Sequence, residues 1–237
     1  MAIEQDQGVL PLTDQQHFIV SNLSSLLGAL QGSVSMWWKT TQVGSGAAWD
    51  NPGVLAFEGA GNNNDYFWGV IGGTGGSRLR FFFGNAGFES TIAINDGIWH
   101  HIGLTRNAGN GEIFIDGVSN ATGSFDSDVK TPAHTSVGEN QDSGGTSRGF
   151  TGLYDDVRIY DRILSAAEFA TIYATRGVDN ITNGLAHRWT LKDEPAGVLA
   201  NIIVDVIGTN DGSASSGTSA DDPVFSEGEV RYRRKLA

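Results

Sequence analysis

The chain has 237 residues, of which 33 are glycine, 5 are proline and none is cysteine. This length suits one large β domain or two small ones, and the lack of cysteine excludes disulfides. The formal net charge of −12 disfavours nucleic-acid partners, and no apolar run approaches the roughly 18 residues of a membrane-spanning helix.

Short apolar segments alternate with turns rich in Gly, Asn and Asp, a spacing typical of an antiparallel β-sandwich. Residues 94–117 read as a hairpin, because NAGNG in its middle supplies hairpin-turn residues. Residues 118–148 are predicted to be rich in loops. The other predicted strands of the first half are 17–27, 32–41, 54–59, 65–73 and 78–85.

One short helix is predicted near residues 165–176, and no other helix is expected. Ser165 suits the N-cap position, and Glu168 three residues later completes a capping box. Leu164 and Phe169 have the spacing of a hydrophobic staple.

The residues before this helix alternate in character. Val157 and Ile159 are apolar, whereas Asp156, Arg158 and Tyr160 are polar or amphipathic. A period of two predicts a strand with one buried and one solvated face.

Three stretches carry the motifs of a known family. Residues 149–177 contain G-x-(I/L)-D-(D/E)-V-R-I-Y-(D/N)-R-x-L-S-x-x-E, with Tyr154 as the one departure. Residues 94–117 match D-G-x-W-H-H-(V/I)-x-x-T followed by G-x-(I/V)-x-(I/V)-(D/N)-G. Residues 32–41 resemble the sequence of a further strand in the same family. The chain thus resembles the laminin-G-like jelly rolls of the concanavalin A-like lectin/glucanase superfamily. The resemblance implies an all-β fold, an antiparallel two-sheet jelly-roll sandwich.

Residues 183–217 resemble the opening strand of that family, which the N-terminus of this chain lacks. The segment could fold back into its own module as a circular permutation, or complete a neighbouring subunit as an exchanged strand. The predicted organisation is an N-terminal arm (1–16), a jelly-roll domain (17–230) and a basic C-terminal tail (231–237).

The sequence predicts no enzymatic activity. The glucanase branch of the superfamily places its carboxylates as E-x-D-x-x-E, and this spacing does not occur here. The nearest arrangement is Glu112 with Asp116, where Asp116 is expected in a turn with Gly117. A cysteine nucleophile is also absent from the sequence.

Calcium is the one cofactor that the resemblance implies. In related jelly rolls, a carboxylate at the start of the D-x-V-R-(I/V)-Y strand often holds a structural calcium, and Asp155 occupies that position. The alternative is an aspartate that is solvated or hydrogen-bonded to turn amides. If calcium is bound, a chelator should lower the melting temperature. His100 and His101 are neighbours on a strand and therefore point to opposite faces, which excludes one shared metal site.

Glycan binding is predicted at the start of the strand that follows NNN. Asn63, Asn64, Asp65 and Tyr66 combine amide, carboxylate and aromatic groups, the chemistry of lectin surfaces.

Assembly is predicted for the basic tail. Arg231, Arg233, Arg234 and Lys235 would be attracted to an acidic neighbour, such as another copy of this acidic chain or a capsid-like lattice.

Two functional hypotheses remain open at this point. The first is a structural or adhesion protein of a larger assembly such as a virus particle, as a capsid decoration or tail protein on the virion surface that presents a glycan-binding surface. The second is a carbohydrate-binding module of a cell-surface or secreted protein. No signal peptide is seen, because the first residues lack a basic start and a long apolar core.

Overall fold

The computed structural model of the protein describes most of the chain between residues 10 and 215. The described residues are 10–12, 17–20, 23, 26, 29–44, 51–53, 55–58, 65–84, 86–129, 134–141, 147–191 and 202–215. No helix among them combines the length and the hydropathy that crossing a membrane requires.

The elements of this part of the chain are mostly strands, as predicted. In chain order they are β1 (Leu10–Leu12), β2 (His17–Ile19), β3 (Gln31–Lys39), β4 (Leu55–Glu58), β5 (Asp65–Gly72), β6 (Arg78–Phe83), β7 (Ala86–Ala93), β8 (His100–Asn107), β9 (Asn110–Ile115), β10 (Val118–Ser124), β11 (His134–Val137), β12 (Glu139–Gln141), β13 (Ser147–Gly149), β14 (Gly152–Tyr160), α1 (Ala166–Thr175), β15 (Leu185–Trp189), β16 (Ile202–Ile203) and β17 (Gly212–Ser215).

Two large antiparallel sheets form the molecule. Sheet 1 has the order β1–β14–β3–β8–β9–β10, and β15 also pairs with β14. Sheet 2 has the order β16–β17–β2–β11–β4–β5–β6–β7, and β12 and β13 form a separate hairpin. The described residues are mostly strands in antiparallel sheets, so the predicted jelly-roll sandwich is confirmed.

Aromatic side chains fill the space between the sheets. The ring centroids of Trp68 and Phe81 lie 4.9 Å apart, and those of Phe81 and Phe125 lie 4.8 Å apart. Leu104 and Ile113, from adjacent strands of sheet 1, are fully buried in the same core. Burial of such large side chains is the main contribution to the stability of the sandwich.

The caps of α1 follow the sequence prediction. Ser165 accepts a hydrogen bond from the backbone N–H of Glu168, and the Glu168 carboxylate accepts one from the Ser165 backbone, which completes the capping box. Arg162 and these contacts lower the pKa of Glu168 to about 2. Leu164 and Phe169 are both buried in one small apolar cluster, as the staple requires.

The C-terminal segment pairs within its own chain. β15 lies against β14 in sheet 1, and β17 lies against β2 in sheet 2. Trp189 and Ile203 from this segment are buried in the main core. The segment therefore contributes strands to both layers of the sandwich. Whether it closes its own domain or that of a neighbour stays a prediction.

The N-terminal residues also contribute a strand. Residues 10–12 lie within the predicted arm, yet they pair with residues 152–154 of β14. The backbone groups at that edge of β14 would otherwise lack partners, because β15 covers only the later part of the strand.

A buried group of ions lies where β14 meets the chain that follows α1. Arg158, whose side chain is 1% exposed, donates to Asp156 over 2.7 Å and to Asp179 over 3.0 Å. Arg188 of β15 donates to Asp156 as well, over 2.7 Å. Burial raises the pKa of Asp156, but the two guanidinium groups outweigh it and hold that pKa below its usual value. The network joins β14, the segment after α1 and β15.

This network corrects the prediction of a solvated face on β14. Asp156, Arg158 and Tyr160 are all buried, because the chain after α1 covers that side of the strand. Residues 118–148 also contain more structure than predicted, including β10 to β12. The exposure pattern of β10 has no regular alternation, since this strand lies at the edge of sheet 1, and its sequence gives no period of two.

Candidate functional site

The helix covers part of the outward face of sheet 1. Phe169 stacks on Phe114 with ring centroids 4.4 Å apart, and Tyr173 stacks on Trp37 at 5.7 Å. Arg176 at the end of the helix places its guanidinium carbon 4.9 Å from the Trp37 ring centroid. This part of the face is closed to a ligand.

The outward face of sheet 2 is different, because α1 lies on the other sheet. Along β6 the side chains alternate: Leu79, Phe81 and Phe83 are buried, and Arg78, Arg80 and Phe82 are partly exposed. The alternation follows from the two-residue period of a strand, so the last three share the outward face. Together with Thr74 and Glu89, these three residues are called the β6 surface below.

Phe82 forms a flat platform on this surface. Its ring lies across Gly87 of the neighbouring strand, where a Cβ atom would come within 2.4 Å of the ring Cδ2 atom. The guanidinium carbon of Arg80 lies 5.9 Å from the centroid of the Phe82 ring. Gly87 therefore allows the ring to lie low on the sheet, with a planar cation beside it.

Glu89 anchors the loop next to this platform. Its carboxylate accepts hydrogen bonds from the Thr74 backbone N–H over 3.1 Å and from the Thr74 hydroxyl over 2.5 Å. Burial raises the pKa of Glu89, but Thr74, Arg78 and Arg80 outweigh it and hold the pKa below its usual value. The five residues of the β6 surface thus include two guanidinium groups and one carboxylate, and Arg78 Nε lies 3.9 Å from Glu89 Oε1.

A second polar group surrounds His100 at the start of β8. Its Nδ1 atom lies 2.9 Å from Asp116 Oδ2, and its Nε2 atom lies 3.2 Å from Asp96 Oδ1. Asp116 also accepts a hydrogen bond from the His101 backbone N–H. His101 points to the opposite face, where its Nε2 atom lies 2.8 Å from the Ser35 hydroxyl.

The pairing of His100 predicts a specific pH dependence of stability. Burial lowers the pKa of His100, but Asp116 and then Asp96 outweigh it and raise that pKa above its usual value. The folded-state pKa therefore exceeds the unfolded value of about 6.5, and the stabilisation is complete below that pH and lost as pH rises through the folded-state pKa. The pKa of Asp116 is lowered, because contacts with His100 and the His101 backbone outweigh its burial, so its contribution is lost only in acid.

Urea denaturation of the wild type and His100→Gln should show this dependence. We expect the difference in the free energy of unfolding to be largest between about pH 4 and 6.5 and to shrink at higher pH. A difference that stays constant into the alkaline range would contradict the assignment. Gln31→Ala, which changes an exposed residue, is the control.

Comparison with known proteins identifies the family. The model of a laminin G domain family, described as the concanavalin A-like lectin/glucanases superfamily, matches residues 12–170. The chain belongs to the concanavalin A-like lectin/glucanases superfamily. The resemblance stated from the sequence motifs is thereby confirmed. A comparison with curated protein sequences returned no match.

Several solved structures have a fold similar to that of this chain. A candidate carbohydrate-binding protein from Bacteroides ovatus has a TM-score of 0.70 at 17% identity, over 89% of this chain and 58% of the other. The present chain therefore spans little more than half the length of that protein. The CBM40 of the Ruminococcus gnavus IT-sialidase, bound to α2,3-sialyllactose, has a TM-score of 0.57 at 18% identity, over 73% of this chain and 100% of the other. A leech intramolecular trans-sialidase has a TM-score of 0.54 at 14% identity, over 73% of this chain and 28% of the other.

The predicted calcium ligand is buried in sheet 1. Asp155 is fully buried in β14, where its Cα partner is Trp37 of β3. Calcium takes 6–8 oxygen ligands, and the described residues contain no group of three or more His, Cys, Asp or Glu that could hold a metal ion. Calcium at Asp155 stays a prediction.

Two of the four predicted glycan ligands belong to the described strands. Asp65 and Tyr66 begin β5, and Tyr66 is the Cα partner of Phe83 in β6. Asn63 and Asn64 lie outside the described residues. The same holds for the basic tail residues Arg231, Arg233, Arg234 and Lys235, whose role in assembly stays a prediction.

The sequence prediction missed Arg78, Arg80 and Phe82 as surface groups. The signal was available in RLRFFF, where a strand period puts every second residue on one face. The two carboxylates considered for hydrolysis have other contacts. Glu112 accepts a hydrogen bond from the Ser119 hydroxyl, and Asp116 has a positive φ of 53° in the turn after β9 and binds His100.

Proposed function

We propose that the protein is a non-catalytic carbohydrate-binding module that holds its glycan on the β6 surface. The observation that carries this proposal is the Phe82 platform, which is partly exposed on the outward face of sheet 2 with Arg80 beside it. An aromatic face can pack against the apolar face of a sugar ring, and flanking polar groups fix the orientation of the ring.

The two arginines favour a glycan that carries a carboxylate. A guanidinium group donates two parallel hydrogen bonds to a carboxylate, and these charge-assisted bonds are stronger than neutral ones. Arg78 is itself positioned by a 2.7 Å hydrogen bond to the Ser90 carbonyl, which limits its freedom before a ligand arrives. The sialyllactose in the CBM40 structure is a sugar of this acidic class, which supports the proposal.

The comparisons favour the second functional hypothesis over the first. The proposed setting is a module of an extracellular or cell-surface protein, in line with the carbohydrate-binding relatives. A component of a virus particle, with other protein subunits as partners, has no support from these relatives and stays a prediction. The absence of the E-x-D-x-x-E spacing of the glucanases supports a role without catalysis.

Glycan-array binding by the wild type and Phe82→Ala tests the proposal. We expect the wild type to select glycans with a terminal carboxylated sugar, and Phe82→Ala to weaken that binding about tenfold or more, which corresponds to about 1.4 kcal/mol. Arg80→Gln should lower the preference for acidic over neutral glycans.

Val118→Ala is the matched control, because it removes an exposed apolar side chain from sheet 1 instead of sheet 2. It should bind like the wild type. Failure of the wild type to bind any glycan, or equal binding by Phe82→Ala, would overturn the proposal.

A further inference from the structure

A cavity lies on the opposite sheet, where the cover by α1 ends. It has a volume of 380 Å³ and opens on the outward face of β8, β9 and β10. The depression is open to solvent, because Asn107, Asn110, Thr122 and Ser124 in its lining are exposed. We call it the β9 cavity, and it shares no residue with the β6 surface.

Six polar side chains line this cavity in two rows across the three strands. They are Thr105, Glu112 and Thr122 in one row, and Asn107, Asn110 and Ser124 in the other. Each row consists of Cα partners: Glu112 pairs with Thr105 on β8 and with Thr122 on β10, and Asn110 pairs with Asn107 and Ser124. Because each strand contributes residues two apart, both rows lie on the same face.

Two glycines, Gly111 and Gly123, lie between the two rows of lining residues. Gly111 and Gly123 face the core, where a Cβ would come within 2.5 Å of the Phe125 ring and 2.3 Å of the Phe88 ring. The aromatic core therefore holds the two strands in place from below. Ile163, from the segment before α1, contributes the apolar part of the lining.

The carboxylate of Glu112 is oriented before a ligand binds. The Ser119 hydroxyl donates a hydrogen bond to Glu112 Oε1. Thr105 in the same row is 5% exposed, so it is fixed by its surroundings at the base of the cavity. A carboxylate held in this way can accept hydrogen bonds from two hydroxyl groups of a ligand.

The chemistry of the lining selects one class of ligand. Among the residues that the structure describes, the lining contains one carboxylate and no Lys, Arg or His, which disfavours phosphates, sulfates and acidic sugars. Its three hydroxyls and two amides can each donate and accept hydrogen bonds, which suits a ligand with many hydroxyl groups. Apart from Ile163, it offers little apolar surface for a hydrophobic molecule.

We propose that the β9 cavity is a second binding site, which takes one neutral sugar unit of a saccharide. It differs from the β6 surface in position and in charge preference, because that surface carries two guanidinium groups. The two sites lie on different sheets, so one module could bind two chains or two segments of a branched glycan. Such double engagement increases avidity without a new contact.

Isothermal titration with neutral sugars tests this site directly. The probes are glucose, galactose, mannose, arabinose, N-acetylglucosamine and the disaccharides of each. We expect at least one of them to bind the wild type, and Glu112→Ala and Asn110→Ala each to weaken that binding about tenfold or more. Phe82→Ala should leave this binding unchanged, which separates the second site from the proposed primary one.

The other possible results of this titration either overturn or support the second site. If no neutral probe binds, or if Phe82→Ala abolishes the binding that Glu112→Ala leaves intact, the β9 cavity is not the site. Loss of acidic-glycan binding in Phe82→Ala, with neutral binding retained, would support both sites. Ser119→Ala keeps the Glu112 carboxylate and removes its hydrogen bond, so a several-fold weakening in this variant would support the role of the oriented carboxylate even if Glu112→Ala fails to fold.

Discussion

Deletion of residues 183–237 is expected to abolish folding. The deletion removes β15, β16 and β17, so both sheets lose paired strands, and the main core loses Trp189 and Ile203. The cost exceeds that of a cavity mutation, because hydrogen-bonded edges and buried apolar surface are lost together. Circular dichroism and resistance to trypsin should show an unfolded chain.

A smaller change tests the same interface without removing the segment. Trp189 is 2% exposed, and its indole N–H donates to the Asn210 carbonyl over 3.0 Å. Trp189→Ala should lower the free energy of unfolding by about 3–5 kcal/mol. Val206→Ala, at a position 47% exposed in the same segment, is the control and should change it little.

The contrary result would be a truncated protein that folds as a stable monomer. That outcome would mean that residues 183–215 are dispensable for the sandwich. If an added peptide of residues 183–217 restores the fold of the truncated chain, that result would support the account, and its concentration dependence would measure the affinity of the segment for the two sheets.

Arg158→Met is expected to have the next largest effect on stability. The side chains of Arg158 and Asp179 are each 1% exposed. The substitution leaves the Asp179 carboxylate without its guanidinium partner. Asp156 keeps Arg188, so the damage centres on Asp179. Removing one partner of a buried ion pair typically costs about 3–5 kcal/mol. Urea denaturation at neutral pH measures the loss.

Arg162→Met is the matched control for that experiment. Arg162 pairs with Glu168 over 2.5 Å, but these side chains are 26% and 25% exposed. Solvent screens such a pair, and its removal should cost less than about 1 kcal/mol. Similar losses in the two variants would contradict the account of Arg158. A double variant, Arg158→Met with Asp179→Leu, should recover part of the stability, because it removes the unpaired carboxylate as well.

The local elements were predictable because their signals lie within a few residues. The capping box of α1 needs only Ser165 and Glu168, and the hairpin of β8 and β9 needs its turn and alternating flanks. The family motifs lie in the same stretches and predicted the jelly roll, because a strand, a turn and a helix with this spacing rarely occur together by chance.

The misses have a common physical cause. Arg158 looked solvated because its alternation with Val157 is typical of a half-exposed strand, and only the fold shows that residues after α1 cover it. The rows of the β9 cavity depend on the register of three strands, which no local pattern gives. The position of the Phe82 ring likewise depends on its neighbour across the sheet, Gly87, which leaves room for it. Glycan binding at Asn63, Asn64, Asp65 and Tyr66 stays a prediction.

Mapping of the bound glycan by NMR tests the central proposal most directly. The isotope-labelled protein is titrated with α2,3-sialyllactose or the acidic glycan that the array selects, and backbone amide shifts are followed. We predict that the largest shifts fall on β6 and β7, at Arg80, Phe82 and Gly87, and that Phe82→Ala needs about ten times more glycan or more to reach the same shifts. Shifts confined to other parts of the sandwich, or an unchanged titration midpoint in Phe82→Ala, would contradict carbohydrate binding at the β6 surface.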